Sequence, residues 1–278
     1  MRYVTAELRA VLELVEYARY DPVTGTRLLT MVADLAQLLG WLTFDSGRSG
    51  AAERYLLLSL GVCRAVSAPD RAANVIGMLS YISTFAGHGR QASYLAEAAA
   101  AECGKPDPVL RARLAGRDAT AAAADGDFAR FRRKADEAAA LLDRYRAADR
   151  PPFLYYMSVG QLAAEAGQGL VMLAERVTAG KAKLFAEAVE SLSGALEAKA
   201  YPRSALLHAT FLVRACLGRG DLDQAVAVTR TALGLLPVVQ SPRARGYLSR
   251  LRPELARRSR ALVVRDFLDE FDEASSVR

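Results

Sequence analysis

Apolar residues recur three and four apart along most of this chain, in Leu28–Asp45, Ala51–Val66, Arg71–Phe85, Val109–Ala124, Ala129–Tyr145 and Ser204–Leu217. That spacing gathers them on one face of a helix, and the segments are too long for strands, so each predicts an amphipathic helix. Runs that alternate apolar and polar residues between turn dipeptides are missing, and no sheet is expected. The punctuation agrees. Asp107-Pro108 and Ser241-Pro242 set a capping side chain before a proline suited to the first helical turn, while DSGRSG, AGHG, ADGD and GRGD supply glycines that separate paired helices.

A longer period lies over the helical one. Gly47…Ala52, Gly87…Ala92 and Gly220…Ala225 each stand five apart, and Ser59, Ala99 and Ala232 follow twelve after the same glycines. Gly126 keeps the second small residue at Ala138 but has Phe131 at the first. A further unit at 155–199 keeps the seven-residue gap in Ala188 and Ala195, on the expectation of a longer turn after Gly180. The first three turn glycines lie about 40 residues apart, a period that means stacked supersecondary units, because one unit cannot bury its apolar face alone. Small residues at Gly40, Ala52, Ala92 and Ala225 let antiparallel helices approach closely. The expected fold is all-α, an α-solenoid of about five helix pairs with a C-terminal capping helix, and the small/small/large spacing Gly40–Ala52–Leu56 makes it resemble a tetratricopeptide-like array. The repeat domain is expected over residues 1–260 and a C-terminal helix or tail over 261–278.

The spacing Gly40–Ala52–Leu56 resembles the small/small/large pattern of tetratricopeptide repeats. The wording is more particular. Leu35-Ala36-Gln37-Leu38-Leu39-Gly40-Trp41-Leu42-Thr43-Phe44-Asp45-Ser46-Gly47, then Ala52-Glu53-Arg54-Tyr55, is similar to the C-terminal repeat half of XRE-type helix-turn-helix regulators of high-GC bacteria. Met78-Leu79-Ser80-Tyr81, Pro151-Pro152-Phe153-Leu154-Tyr155-Tyr156, Ser241-Pro242-Arg243 and Val264-Arg265-Asp266-Phe267-Leu268 echo the same family. The resemblance implies a ligand-sensing or protein-interaction role in transcriptional regulation. Such regulators begin with a DNA-binding domain, whereas this chain starts inside the repeat region, so direct DNA binding is not carried over. Acidic residues associated with the family after the Tyr-Tyr pair are here Ser158 and Val159, and no ligand role is carried over for that segment.

Composition narrows the classes. With 278 residues, 52% of them apolar, the chain can bury a large core, at a length where single cores stop growing and stacked units become natural. The start MRYVTAELRA lacks the uninterrupted apolar region of a signal peptide, and no run of about 18 apolar residues occurs. A cytoplasmic protein with no membrane partner is expected. Cys63, Cys103 and Cys216 are odd in number and lack CxxC spacing, which predicts free thiols.

Chemistry-bearing motifs are few. Gly87-His88-Gly89-Arg90-Gln91-Ala92 matches GxGxxA, but a dinucleotide fingerprint must follow a strand, and here a helix precedes it. His88 is expected in an exposed turn and His208 against a neighbouring helix. No GxSxG, Walker or HExxH sequence occurs, so no catalytic residue, cofactor or metal is expected. Leu60-Gly61-Val62 looks like the turn of a DNA-binding motif, yet it coincides with the second helix of the first repeat and has no base-reading cluster beside it.

What remains is a surface. Stacked helix pairs present the first helix of each pair on a concave face, where extended peptides and partner helices bind. Counted from Gly40, the groove positions that the resemblance implies fall on Asp34, Gln37, Trp41 and Phe44, on Asn74, Tyr81 and Thr84, on Arg113 and Thr120, and on Thr210 and Arg214. A peptide, small ligand or protein partner is expected there, and self-association through an exposed repeat end is compatible with the pattern. The alternative is nucleic acid. Residues 241–260 hold Arg243, Arg245, Arg250, Arg252, Arg257, Arg258 and Arg260 against Glu254 alone, a local +6 equal to that of the whole chain. The acids Asp266, Asp269, Glu270, Asp272 and Glu273 follow and can fold back onto these arginines, and Pro253 is expected to kink or break the helix.

Overall fold

The computed structural model describes residues 1–104, 107–143, 151–194 and 201–276. Among them the regular elements are thirteen α-helices and a short 3-10 turn, with no strand. The chain divides into two compact units between Met157 and Ser158, a division that the repeat pattern does not announce.

The first unit holds α1 (Arg2–Tyr17), α2 (Pro22–Asp45), α3 (Ser49–Ala65), α4 (Pro69–Phe85), α5 (Gly89–Glu102), α6 (Pro108–Asp125), α7 (Phe128–Asp143) and the 3-10 turn Pro152–Leu154. Its helices pack as successive pairs, α2 on α3, α4 on α5 and α6 on α7. Each second helix also touches the next first helix, α4 packs on α6, and α1 packs on α2. The second unit holds α8 (Val159–Ala174), α9 (Lys181–Ser193), α10 (Pro202–Arg219), α11 (Leu222–Gly234), α12 (Pro242–Ala256) and α13 (Leu262–Ser276). There α8 pairs with α9, α10 with α11 and α12 with α13, and α10 also packs on α8 and α12. Within the segment 261–278, where a C-terminal helix or tail is expected, α13 packs on α11 and α12.

Local chemistry explains where these helices begin and end. Asp107 accepts from Val109 N at 2.7 Å and Ser241 from Ala244 N at 3.1 Å, each followed by its proline, and Asp21-Pro22 caps α2 in the same way. After α2, α4, α6 and α10 the chain turns through a glycine with positive φ, at Gly47, Gly87, Gly126 and Gly220. The amide after each glycine bonds back to the carbonyl five residues earlier, as in Arg48 N to Thr43 O and Asp221 N to Cys216 O. This is a Schellman ending, and it relies on the left-handed conformation that glycine adopts without a Cβ clash. Ser67, φ 54°, makes the same turn after α3.

The repeat positions are core positions. Ala52, Ala92 and Ala225 are each 0% exposed, and Ser59, Ala99, Ala138 and Ala232 are buried with them. Phe131, the residue that departs from the small pattern, is buried too. Ala188 is buried, and Ala195 lies outside the described residues. The longer connection in that pair is residues 175–179, which precede Gly180 instead of following it, because Gly180 opens α9. Gly40 admits Leu56: a Cβ there would stand 2.7 Å from the leucine side chain. Gly167 admits Leu192 in the same manner.

Three further expectations meet the fold here. Leu60-Gly61-Val62 lies within the continuous helix α3, so it forms no turn. Pro253 does not break α12, which runs on to Ala256; so near the C-terminus the missing amide removes one bond from the last turns only. Among the described residues α2 alone is long and apolar enough to cross a membrane by length and composition, and it packs against α1 and α3.

Candidate functional site

The first helices of the pairs carry polar and aromatic side chains that meet one another across a repeat. In the first unit Asp34 on α2 pairs with Arg71 on α4. Gln37 Oε1 accepts from Asn74 Nδ2 at 3.1 Å. Trp41 lies 5.8 Å from Tyr81 between ring centroids and the same distance from Phe44. On the far side of Tyr81 the guanidinium of Arg117, on α6, sits 4.0 Å from its ring centroid. The partners are 37, 37, 40 and 36 residues apart, the differences 71−34, 74−37, 81−41 and 117−81. They join one helix to its counterpart in the next pair.

A segment of the same chain lies on this face. Phe153 stacks against Arg71, with 5.2 Å from Cζ to ring centroid, and Arg113 Nη1 on α6 donates to Met157 Sδ at 3.3 Å. Leu154 and Met157 are 0% exposed, so the segment 151–157 is packed down rather than lying loose on the surface. Burial raises the Asp34 carboxyl above its ordinary range, opposed by the attraction of Arg71.

The second unit repeats the layout on α8, α10 and α12. Gln161 Nε2 on α8 donates to Glu165 Oε1 at 2.8 Å. Gln168 and His208, on α8 and α10, meet at 2.7 Å from Nε2 to Nδ1. The two side chains share one hydrogen bond, and its direction follows the imidazole tautomer. Gln168 Oε1 and His208 Nε2 have no further partner among the described residues. Burial lowers His208 to about 4, with Glu165 pulling it up and Arg243 pushing it down. The ring is therefore a neutral hydrogen-bonding group at neutral pH. Phe211 on α10 lies 5.9 Å from Tyr247 on α12, and Arg214 pairs with Glu175 and covers the Phe211 ring. Burial raises Glu175, against the attraction of Arg214.

The residues expected in a groove are all on first helices, but they differ in access. Asp34, Gln37, Trp41 and Arg214 keep contact with solvent, whereas Phe44, Asn74, Tyr81, Thr84, Arg113, Thr120 and Thr210 are buried. Thr120 and Thr210 turn their hydroxyls onto carbonyls of their own helices, Gly116 O and Leu207 O. Arg71, Arg117, Glu165 and Gln168 belong to the same faces and were not expected there. A partner search at the repeat offset would have found three of them: Asp34 to Arg71, Tyr81 to Arg117, and His208 back to Gln168.

The arginines of 241–260 differ in their partners and exposure. Arg243 reaches the charged surroundings of His208, and Arg245 donates to Leu236 O and Val239 O. Arg258 donates to Glu254 O and Leu217 O. Arg252 pairs with Asp272, so the acidic stretch does fold back onto this segment, as does Glu270 onto Arg230. Arg250 lies over Tyr247, and Arg257 and Arg260 are exposed.

The remaining candidate motifs lie outside these faces or in turns. The GxGxxA stretch is the α4–α5 connection, and a Cβ on Gly89 would meet Ala124 O at 2.6 Å; this glycine serves close packing of backbones. His88 is exposed in that turn. Cys63 and Cys216 are buried free thiols and Cys103 is partly buried; burial pushes Cys103 and Cys216 up to about 11, which makes them poor nucleophiles at neutral pH. Compared with known proteins, the chain matches no family model and no curated protein.

Proposed function

We propose that this chain is a tetratricopeptide-like repeat scaffold that acts by binding and not by catalysis: the ligand-sensing or protein-interaction part of a transcriptional regulator. Its first helices form a concave groove for an extended peptide or a partner segment. The observation that carries this reading is the segment 151–157, a stretch of the chain's own peptide seated on the α4–α6 face through Phe153 and Met157. A surface that holds an aromatic side chain against Arg71 and a thioether against Arg113 suits a foreign segment bearing apolar side chains. The helix pairing within each unit, the Schellman glycines and the buried small residues support the repeat architecture. Binding in the groove shifts the relative angles of neighbouring pairs and so signals to a DNA-binding unit.

Trp41, the only tryptophan of the chain, lies on this face and reports on it. Partners retained by the immobilised chain can be identified, and peptides from them titrated while Trp41 emission is followed. Asp34→Ala combined with Gln37→Ala alters two solvent-accessible groove residues and should weaken binding by about tenfold or more with helicity unchanged. Undiminished binding would remove the groove assignment.

A further inference from the structure

Helix α1 has two apolar edges, and only one is covered. Val4, Leu8, Val11 and Val15 pack against α2 residues such as Val32 and Leu39. At 100° per residue, Tyr3, Ala6, Ala10, Leu14 and Tyr17 form a second stripe on the other side of the helix. All five are exposed, Tyr3 at 75%, Leu14 at 48% and Tyr17 at 76%. A surface helix needs one apolar face, and two tyrosines and a leucine aligned on the other mark a contact surface.

The charges beside the stripe indicate what covers it. Arg2, Arg9, Glu13 and Glu16 run along one border, all exposed and without an ion-pair partner among the described residues. The order along the helix is basic, basic, acidic, acidic. Two copies of α1 placed antiparallel about a two-fold axis at Ala10 bring this border against its own copy. Residue i then lies opposite residue 20−i, so Arg2 falls within about one turn of Glu16 of the second copy and Arg9 within about one turn of its Glu13. The same operation sets Tyr3 against Tyr17 and Leu14 against Ala6, large against small at the second contact. The other border carries Glu7, whose two copies are about 9 Å apart along the axis. A parallel pair would turn the charged borders away from each other and lose the complementarity.

We infer that the exposed stripe of α1 pairs with the same stripe of a second copy of this chain, antiparallel, to form a two-fold dimer. A 16-residue helix is about 24 Å long, so the contact is at the small end of specific interfaces and the dimer is reversible.

Sedimentation velocity of the full chain from about 1 to about 100 µM tests this. The mass should rise from 30.0 kDa toward about twice that value with concentration. Leu14→Glu should weaken the dimer by about tenfold or more. Arg9→Glu alone sets acid against acid and should weaken it, while Arg9→Glu with Glu13→Arg exchanges the partners and should restore it to within about threefold. Circular dichroism checks that each variant remains helical, and Tyr17→Lys replaces Leu14→Glu should the latter disturb the fold. A mass fixed at 30.0 kDa over the whole range, or a dimer indifferent to both stripe variants, overturns the pairing. A dimer lost on Leu14→Glu but not restored by the double charge exchange overturns its antiparallel geometry.

Discussion

Gly89 stands against the carbonyl of Ala124, so close that a Cβ on the glycine would meet Ala124 O at 2.6 Å and its carbonyl carbon at 2.7 Å. The start of α5 and the end of α6 therefore touch backbone to backbone. Gly89→Ala should destabilise the chain by about 1–3 kcal/mol, because backbone cannot give way as the end of a side chain can. Gly61→Ala is the control. Gly61 is exposed within α3, with open space where a Cβ would be, and the substitution should stabilise by about 0.5–1 kcal/mol. Urea denaturation of both variants checks the contrast.

Ala225→Glu should lower the melting temperature by several degrees. Ala225 is 0% exposed, and a carboxylate there loses its hydration without gaining a partner, a cost of about 3 kcal/mol or more. Ala227→Glu, two residues on and exposed in the same helix, should melt close to the parent. Equal melting curves for Ala225→Glu and the parent would show that the position is not in the core.

Acid should weaken the second unit through His208. Its folded value of about 4 is below the ordinary 6.5, so between those values the unfolded chain binds the proton and the folded chain does not. The stabilising contribution is complete above about pH 6.5 and is lost as pH falls through about 4, on the order of 3 kcal/mol in all. His208→Gln should flatten this part of the stability profile between pH 4 and 6.5, as measured by denaturation at each pH.

The Gln37–Asn74 bond joins α2 to α4 through a buried asparagine. A double-mutant cycle with Gln37→Ala and Asn74→Ala should give a coupling of about 0.5–1.5 kcal/mol. Additive effects would mean that the two side chains do not meet in solution.

Much of the local architecture is legible without coordinates. The capping pairs Asp107-Pro108 and Ser241-Pro242, the turn glycines and the buried small residues all act over a few positions, through sterics and amide satisfaction that the residue types express directly. The candidate site was legible only as one side of each helix. Counting in register picked Asp34, Gln37 and Trp41, which solvent reaches, but Thr120 and Thr210 occupy equivalent positions and spend their hydroxyls on their own helices. Register specifies the side of the helix and leaves open whether a neighbour has closed over it.

By itself the sequence determined that this protein is helical, where most of the helices end, and which small residues lie between paired helices. These follow from a 3.6-residue period and from backbone sterics within a turn. Tertiary structure decided that Asp34 meets Arg71 and Gln168 meets His208, that 151–157 covers Arg113, and that the chain divides after Met157. Those outcomes depend on side chains about 40 residues apart competing for the same partners and the same buried space, a competition settled only when the helices are packed.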